Sequence, residues 1–335
     1  VIDVLIVGGG PVGLATAIEA RLAGLTAVVL EPRHGPIDKA CGEGLMPGAL
    51  PLLARLGVDP AGMPLAGISY RDGRRCADHR FSSGPGRGVR RTTLHAALAA
   101  RAAALGVETL VVRVGEFEQG PDSVAADGMR ARWLIGADGL HSSVRRRVGL
   151  ERSARAPRRF GLRRHFALAP WSDRIEVHWG RSAEAYVTPV APDLVSVCVL
   201  GPARTDFDSA IAGMPALAER LAGVDAGPLA GAGALRQATT SVRAGRVLLV
   251  GDASGYVDAI TGEGLRLGFE HAHAAIASIA GGPGYEAEWR RITRGFRVLT
   301  STLVTAASGP ARRAIVPTAV ALPWLYGAAV ERLAR

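Results

Sequence analysis

An α/β fold, with an antiparallel sheet inserted into it and helices closing its C-terminal end, is predicted by three features of this sequence. A short β-branched run, Val4 to Val7, passes into a glycine turn and then a helical pattern within the first 18 residues. From Arg158 to Leu200 the pattern changes to alternating extended segments separated by turn residues. From Arg290 to Arg335 it is helical again, broken by Pro310, Pro317 and Pro323.

Composition bounds the function classes. With 335 residues and 48% in the hydrophobic class, the chain can bury a real core as one large or two closely joined domains. No apolar run reaches the roughly 20 residues of a spanning helix, and 21% of residues are charged, so a soluble protein with at most peripheral membrane contact is expected. The net charge is +10, and Lys39 is the single lysine beside 39 arginines, a bias of composition rather than of mechanism. No basic stretch carries the interleaved aromatics of a single-strand binder, so nucleic acid is not an expected partner. Cys41, Cys76 and Cys198 are odd in number and lack metal-type spacing, which argues against a disulfide framework and a metal site. The first residues lack a basic region and a cleavage site, so they read as a buried strand in a cytoplasmic protein.

The glycine turn carries the first chemistry. Gly8, Gly10 and Gly13, with Pro11 and Val12 between them, form G-x-G-x-x-G, and Leu14 to Ile18 open a helix. The first glycine permits the tight turn, the second lets backbone approach a pyrophosphate, and the third lets helix pack on strand. An anion is then favoured by the helix N-terminus. The second strand, Ala27 to Leu30, ends in Glu31, followed by Pro32 and Arg33. An acid about 20 residues beyond the turn suits the ribose hydroxyls of an adenosine. NAD and FAD share this arrangement.

Two later segments choose between them. Trp133 to Arg145 is an apolar strand ending at Asp138-Gly139, and Val247 to Ala253 is another ending at Gly251-Asp252. Each aims a carboxylate out of a sheet edge, where it can accept hydrogen bonds from ligand hydroxyls. The second is followed by Thr261-Gly262-Glu263-Gly264-Leu265 and the helical run Arg266 to Ile279. In this order and spacing, over nearly the whole chain, the three motifs resemble the FAD-dependent oxidoreductases of the aromatic-hydroxylase (group A flavin monooxygenase) and geranylgeranyl-reductase superfamily.

That resemblance implies a Rossmann-like FAD-binding domain of the aromatic-hydroxylase type. Gly8, Gly10 and Gly13 would meet the pyrophosphate, Glu31 the adenosine ribose, and Asp252 the ribityl chain or pyrophosphate. Gly262 to Leu265 would present helix amides to the flavin pyrimidine edge, where a positive helix end stabilises the anionic reduced form. Arg91 heads a stretch matching the family's R-x-x-L-x-x-x-L helix, whose arginine contacts the cofactor, and Arg33 is a similar candidate on the adenosine side. No second glycine fingerprint exists, so a separate nicotinamide domain is not expected, and the resemblance implies that NAD(P)H binds transiently.

Lys39-Ala40-Cys41-Gly42-Glu43-Gly44 resembles the CGxG segment of geranylgeranyl-reductase-like members. Cys41 either takes part in chemistry at the ring or is a small residue packed beneath it, and Gly42 serves close backbone approach. Tyr186, ahead of Pro189, stands where reductases of prenyl lipids carry two aromatics and flavin halogenases a W-x-W-x-I-P run. Halogenase chemistry is disfavoured, and Tyr186 is a candidate substrate-lining residue. His165, with His178 and Tyr256 behind it, is the first candidate for acid, base or substrate anchor.

The expected organisation is discontinuous. Residues 1–65, 91–156 and 240–280 form the FAD-binding domain, 66–90 and 157–239 the substrate domain, and 281–335 C-terminal helices that pack on the body or line a lipophilic tunnel. Between Arg145 and Arg164 stand nine arginines and one acid, either a solvated face or a landing site for NAD(P)H or for a carrier-linked or coenzyme A-linked substrate. The function these residues predict is an FAD-dependent monooxygenase of a hydrophobic, aromatic or polyketide-like small molecule. The alternatives are a reductase of isoprenoid double bonds and a flavin-binding scaffold without redox turnover.

Overall fold

A computed structural model describes residues 2–73, 75–153 and 158–335; Val1, Arg155 and the expected domain boundary at 156/157 lie outside them. The first strand, Ile2–Val7, is apolar at successive positions because both of its faces are covered. Val4 and Ile6 join one core cluster, and Leu5 and Val7 join another on the opposite side. It pairs in parallel with Ala27–Leu30 on one side and Met129–Gly136 on the other, and Val247–Leu249 continues the parallel order beyond Met129–Gly136. Glu108–Leu110 extends the sheet past Ala27–Leu30, and a meander, Phe117–Gln119 and Val124–Ala126, folds back onto Met129–Gly136.

The register places the functional motifs together. Val7 lies opposite Leu30 and Gly136, and Gly136 lies opposite Leu249. Four strands therefore end at one carboxyl edge, from which Gly8, Glu31, Ala137-Asp138 and the Gly251 turn emerge, as ligand sites of parallel sheets require. Helices Pro11–Leu22, Arg91–Ala104 and Gly264–Ile279 cover one face through Leu14, Ile18, Leu94, Leu98, Phe269 and Ile276.

The second sheet has seven strands in the order Ala230–Gly233, Arg159–Phe166, Leu194–Pro202, Glu184–Ala191, Ile175–Trp179, Gly67–Asp72 and Arg75–Arg80. The expected antiparallel sheet is present with one exception, as Ile175–Trp179 pairs in parallel with Gly67–Asp72. Strands joined by short turns must run antiparallel, whereas these two are separated in sequence by much of the first sheet and escape that constraint. One face of this sheet looks toward the first sheet, while the other is closed by Phe207–Ala212 and Pro215–Leu221 through Phe207, Ile211 and Leu217.

The C-terminal region is a long helix, Tyr285–Ser308, a 3-10 turn, Pro310–Ala314, and two shorter helices, Ile315–Ala321 and Pro323–Ala334. Pro310 and Pro323 begin their elements, where no backbone donor is missed. Pro317 breaks nothing, since it falls in a first turn. Among the described residues no single helix is long and apolar enough to cross a membrane. Val316, Tyr326 and Val330 pack in the same cluster as Ile175, Cys198 and Leu200 of the second sheet, and the Tyr326 hydroxyl donates to Ile68 O at 3.0 Å.

Candidate functional site

A cavity of about 620 Å³ runs from the glycine turn along the carboxyl edge of the first sheet and into the space beneath the second. At its closed end the turn is locked from several sides. Gly8 adopts φ +109° and its N–H donates to Leu30 O at 2.8 Å. A Cβ on Gly13 would run into the Gly8 carbonyl oxygen, so this glycine seats the first helix on the first strand. Gly10 caps that helix with φ −69°, and a Cβ there would meet nothing within 4 Å. That open space in front of a helix N-terminus is where a pyrophosphate has to approach.

Glu31 is buried behind the turn and accepts from Gly9 N at 2.8 Å and from Arg33 Nε at 2.7 Å. Burial opposes its ionisation, but the Arg33 and Gly9 bonds outweigh burial and hold the carboxyl below its ordinary range. Arg33 is thus engaged by Glu31 while still lining the cavity. The sequence reading missed His95, whose Nε2 lies 2.9 Å from Gly9 O. Burial lowers its pKa, so the ring is a neutral donor that supports the turn from the next helix. Val112, Arg113 and Val114 were also missed; they share the outer wall with Leu30, Glu31 and Pro32. No motif marks them, as they belong to the loop after an edge strand.

Further along, Asp138 Oδ2 accepts from Ser143 N at 2.7 Å and Val144 N at 3.2 Å, capping a short helix. Its Oδ1 is buried without a protein partner, as is Nε of Arg91, and both residues line the cavity. A polar ligand in the cavity would offer each a partner, although several other arginine Nε atoms are unpaired as well. Arg145, fully buried, ties the motifs together by donating to Leu140 O at 2.8 Å, Ala253 O at 3.0 Å and Gln237 Oε1 at 3.0 Å. With Arg159 and Arg163 also buried and paired internally, the arginine-rich stretch is not one continuous basic face.

Asp252, Gly262, Gly264 and Leu265 line the cavity where helix Gly264–Ile279 begins. Gly251 does not; at φ +56° it turns the chain against Val12. Glu263 does not either. It points inward, paired with Arg266, which also reaches Glu270 at 2.7 Å. Burial pushes the Glu263 carboxyl up to about 7 against the pull of Arg266. The native state therefore binds this proton more tightly than the unfolded chain. The associated stability is complete below the unfolded value of 4.5 and is lost as pH rises through about 7. Thermal melts from pH 5 to 8 are expected to show a decline, worth up to about 3 kcal/mol, that Glu263→Gln lacks. Identical pH dependence in the two proteins would contradict this.

Beneath the second sheet the cavity is walled by Ile68, Ile175, Val177, Leu200, Leu235 and Ile260, with Leu333 from the last helix. Cys41, Gly42, Glu43, Tyr70, Tyr186, Thr188, Cys198 and Tyr256 also line it. The Tyr186 hydroxyl donates to Ile260 O at 3.0 Å. Burial pushes the Tyr70, Tyr186 and Tyr256 hydroxyls above their ordinary range, so all three stay neutral. His165 and His178 are absent from this wall. His178 is held within the sheet by Glu176 at 3.0 Å, and His165 by Glu43 at 2.6 Å. A side recess of about 380 Å³ joins the cavity at Lys39, Asp138, Leu140 and His141.

Residues 1–282 match the model of a family described as FAD binding domain. A dialkyldecalin synthase of Streptomyces rugosporus is 29% identical over 80% of this chain and 63% of its own length, so the chain spans about three-fifths of that relative. A menaquinone reductase of Mycolicibacterium smegmatis is 29% identical over 88% of this chain and 82% of its own. Among solved structures, p-nitrophenol 4-monooxygenase PnpA of Pseudomonas putida superposes with a TM-score of 0.80, covering 99% of this chain and 95% of that one at 22% identity.

Proposed function

The chain belongs to the FAD binding domain family, and from that premise we propose that it is an FAD-dependent oxidoreductase, a monooxygenase using NAD(P)H and O2 on a hydrophobic, aromatic or polyketide-like small molecule. The open space at Gly10 and the unpaired Asp138 Oδ1 and Arg91 Nε fit an extended dinucleotide. FAD, when bound, supplies electron transfer from the nicotinamide and activation of oxygen. The residues of this chain do the rest. Gly8 to Gly13 and Glu31 seat the adenosine diphosphate half; Arg91, Asp138 and Asp252 line the path of the other half. The N-terminus of Gly264–Ile279 supplies a positive helix end to charge developing on the cofactor.

The observation that carries the reading is the chamber under the second sheet. It is apolar, its three tyrosine hydroxyls are neutral, and it continues directly from the cofactor path. Such a wall excludes water from oxygen chemistry and accepts a greasy ring. The side recess at Lys39 and His141 supports a second entrance suited to a transient anionic reductant.

A second reading, reduction of an isoprenoid-type double bond, is favoured by Cys41 on the chamber wall and by the length over which the menaquinone reductase aligns. Rapid mixing separates the two. The protein, loaded with FAD and reduced without oxygen, is expected to reoxidise quickly in aerated buffer through a transient absorbance band distinct from both end states. Slow reoxidation without that band would instead favour the reductase. Bound FAD that turns over with no reductant would favour a non-redox scaffold.

A further inference from the structure

Glu43 holds a backbone conformation that its residue type avoids. Its φ is +59°, in the left-handed region where a non-glycine residue is strained and persists only if its surroundings over-determine it. Those surroundings come from three parts of the fold. Its N–H donates to Cys41 Sγ at 3.4 Å, and its carbonyl accepts from Val89 N at 2.8 Å. Its side chain is 1% exposed, and the carboxylate is split between two partners. Oε1 accepts from Arg91 N at 2.7 Å, at the first residue of the helix whose arginine lines the cofactor path. Oε2 lies 2.6 Å from His165 Nε2 on the second sheet.

The direction of that last bond follows from its neighbour. Arg163 Nη1 is 2.9 Å from His165 Nδ1, and a guanidinium only donates. Nδ1 is therefore the acceptor, the ring proton sits on Nε2, and His165 donates to Glu43. Arg163 is itself anchored by Asp38. One residue before Glu43, Gly42 O accepts from Thr188 Oγ1 at 2.9 Å. His165 and Thr188 each lie directly opposite Ser196, so the three form a polar row across one sheet face. The next row on that face holds Tyr186 and Cys198 of the chamber wall. A buried polar row needs partners, and the 41–44 segment supplies them to His165 and Thr188, while Ser196 Oγ between them has none among the described residues.

We propose that Glu43, held by His165, is the positioning residue that fixes Cys41 and Gly42 on the cavity wall and sets the Arg91 helix against the cofactor. Through this one carboxylate the cofactor seat and the substrate-side sheet are built as a unit. The inference rests on the FAD reading above and assigns His165 a role away from the reacting atoms.

The test compares Glu43→Ala, His165→Leu and His165→Gln, the last keeping a side-chain N–H donor. Three quantities are measured: FAD affinity by titration, the iodoacetamide alkylation rate of Cys41 relative to exposed Cys76, and Tm. Glu43→Ala and His165→Leu are expected to weaken FAD binding and to shift the relative Cys41 rate by about tenfold each, the loss of one charge-assisted hydrogen bond. His165→Gln is expected to recover most of both. Phe207→Ala, in the core on the far face of the sheet, should lower Tm without moving either quantity. The proposal is overturned if the first two variants stay within about twofold of wild type, or if Phe207→Ala reproduces their changes. A wild-type protein that takes up no FAD would overturn the FAD reading instead, and Cys41 alkylation would still report on the positioning.

Discussion

Replacing Gly10 by alanine is expected to give a folded but colourless protein. The residue sits at φ −69°, ψ 174°, which alanine adopts freely, and the added methyl meets no protein atom within 4 Å. Its cost to folding is therefore small, below about 1 kcal/mol. The methyl occupies the space in front of the helix N-terminus that a pyrophosphate must enter, so FAD affinity should fall by about a hundredfold or more. Gly13→Ala reverses the pattern. Its Cβ would run into the Gly8 carbonyl oxygen and approach Ala137 Cβ to 3.3 Å, prising helix from strand at an overpacking cost of about 1–3 kcal/mol. Flavin absorbance per mole of purified protein, read beside Tm, distinguishes the two. Near-stoichiometric FAD in Gly10→Ala would show that the cradle is misplaced.

Glu184→Ala should be the most damaging single change to stability. Glu184 is fully buried on the strand Glu184–Ala191 and pairs with Arg159 and, at 2.9 Å, with Arg312. Arg159 keeps a second partner, Asp258 at 3.2 Å, whose carboxyl burial pushes up to about 6. Arg312 keeps the carbonyls of Gly180 and Ala307 at 2.9 and 2.8 Å and the face of Trp179 at 5.1 Å, none of them a counter-charge. Removing the carboxylate leaves a buried guanidinium without a counter-charge, a loss of about 3–5 kcal/mol and on the order of 10 °C in Tm. Because Arg312 tethers the terminal helices that bring Leu333 to the chamber, limited proteolysis should cut first beyond residue 308. Glu184→Gln, which keeps one acceptor oxygen but turns an amide N–H donor toward the second guanidinium, should lose less stability than Glu184→Ala while remaining clearly destabilised. A melting temperature unchanged in Glu184→Ala would mean that the cluster does not hold these helices.

The cofactor half of the site was legible because its determinants are local. A tight turn, a left-handed residue and a helix start are constraints on a few consecutive residues, and glycine answers them whatever surrounds it. Gly8, Gly10, Asp138, Asp252 and Gly262, expected from motif order and from the family resemblance together, all line the one cavity. Beside them Gly251 turns the chain against Val12, and the Glu263 side chain faces inward to Arg266, leaving its backbone amide at the helix start. Neighbours in sequence need not share a side. His95 and Val112 to Val114 escaped for the opposite reason, since they reach the site from elements with no motif of their own.

His165 shows where sequence reasoning ends. A histidine on a strand reads the same whether it faces substrate, solvent or a buried carboxylate, and only the packing of the 41–44 segment against the second sheet decided that it faces Glu43. The parallel pairing of Ile175–Trp179 with Gly67–Asp72 was likewise undetermined, because strand direction across a long crossover is set by how distant units dock. By itself, then, the sequence determined the α/β class, the dinucleotide cradle and the order of its motifs, all consequences of backbone conformation over short spans. The chamber, its neutral tyrosines and the carboxylate joining cofactor seat to substrate sheet were decided by tertiary structure alone. Each depends on which distant side chains are brought within bonding distance.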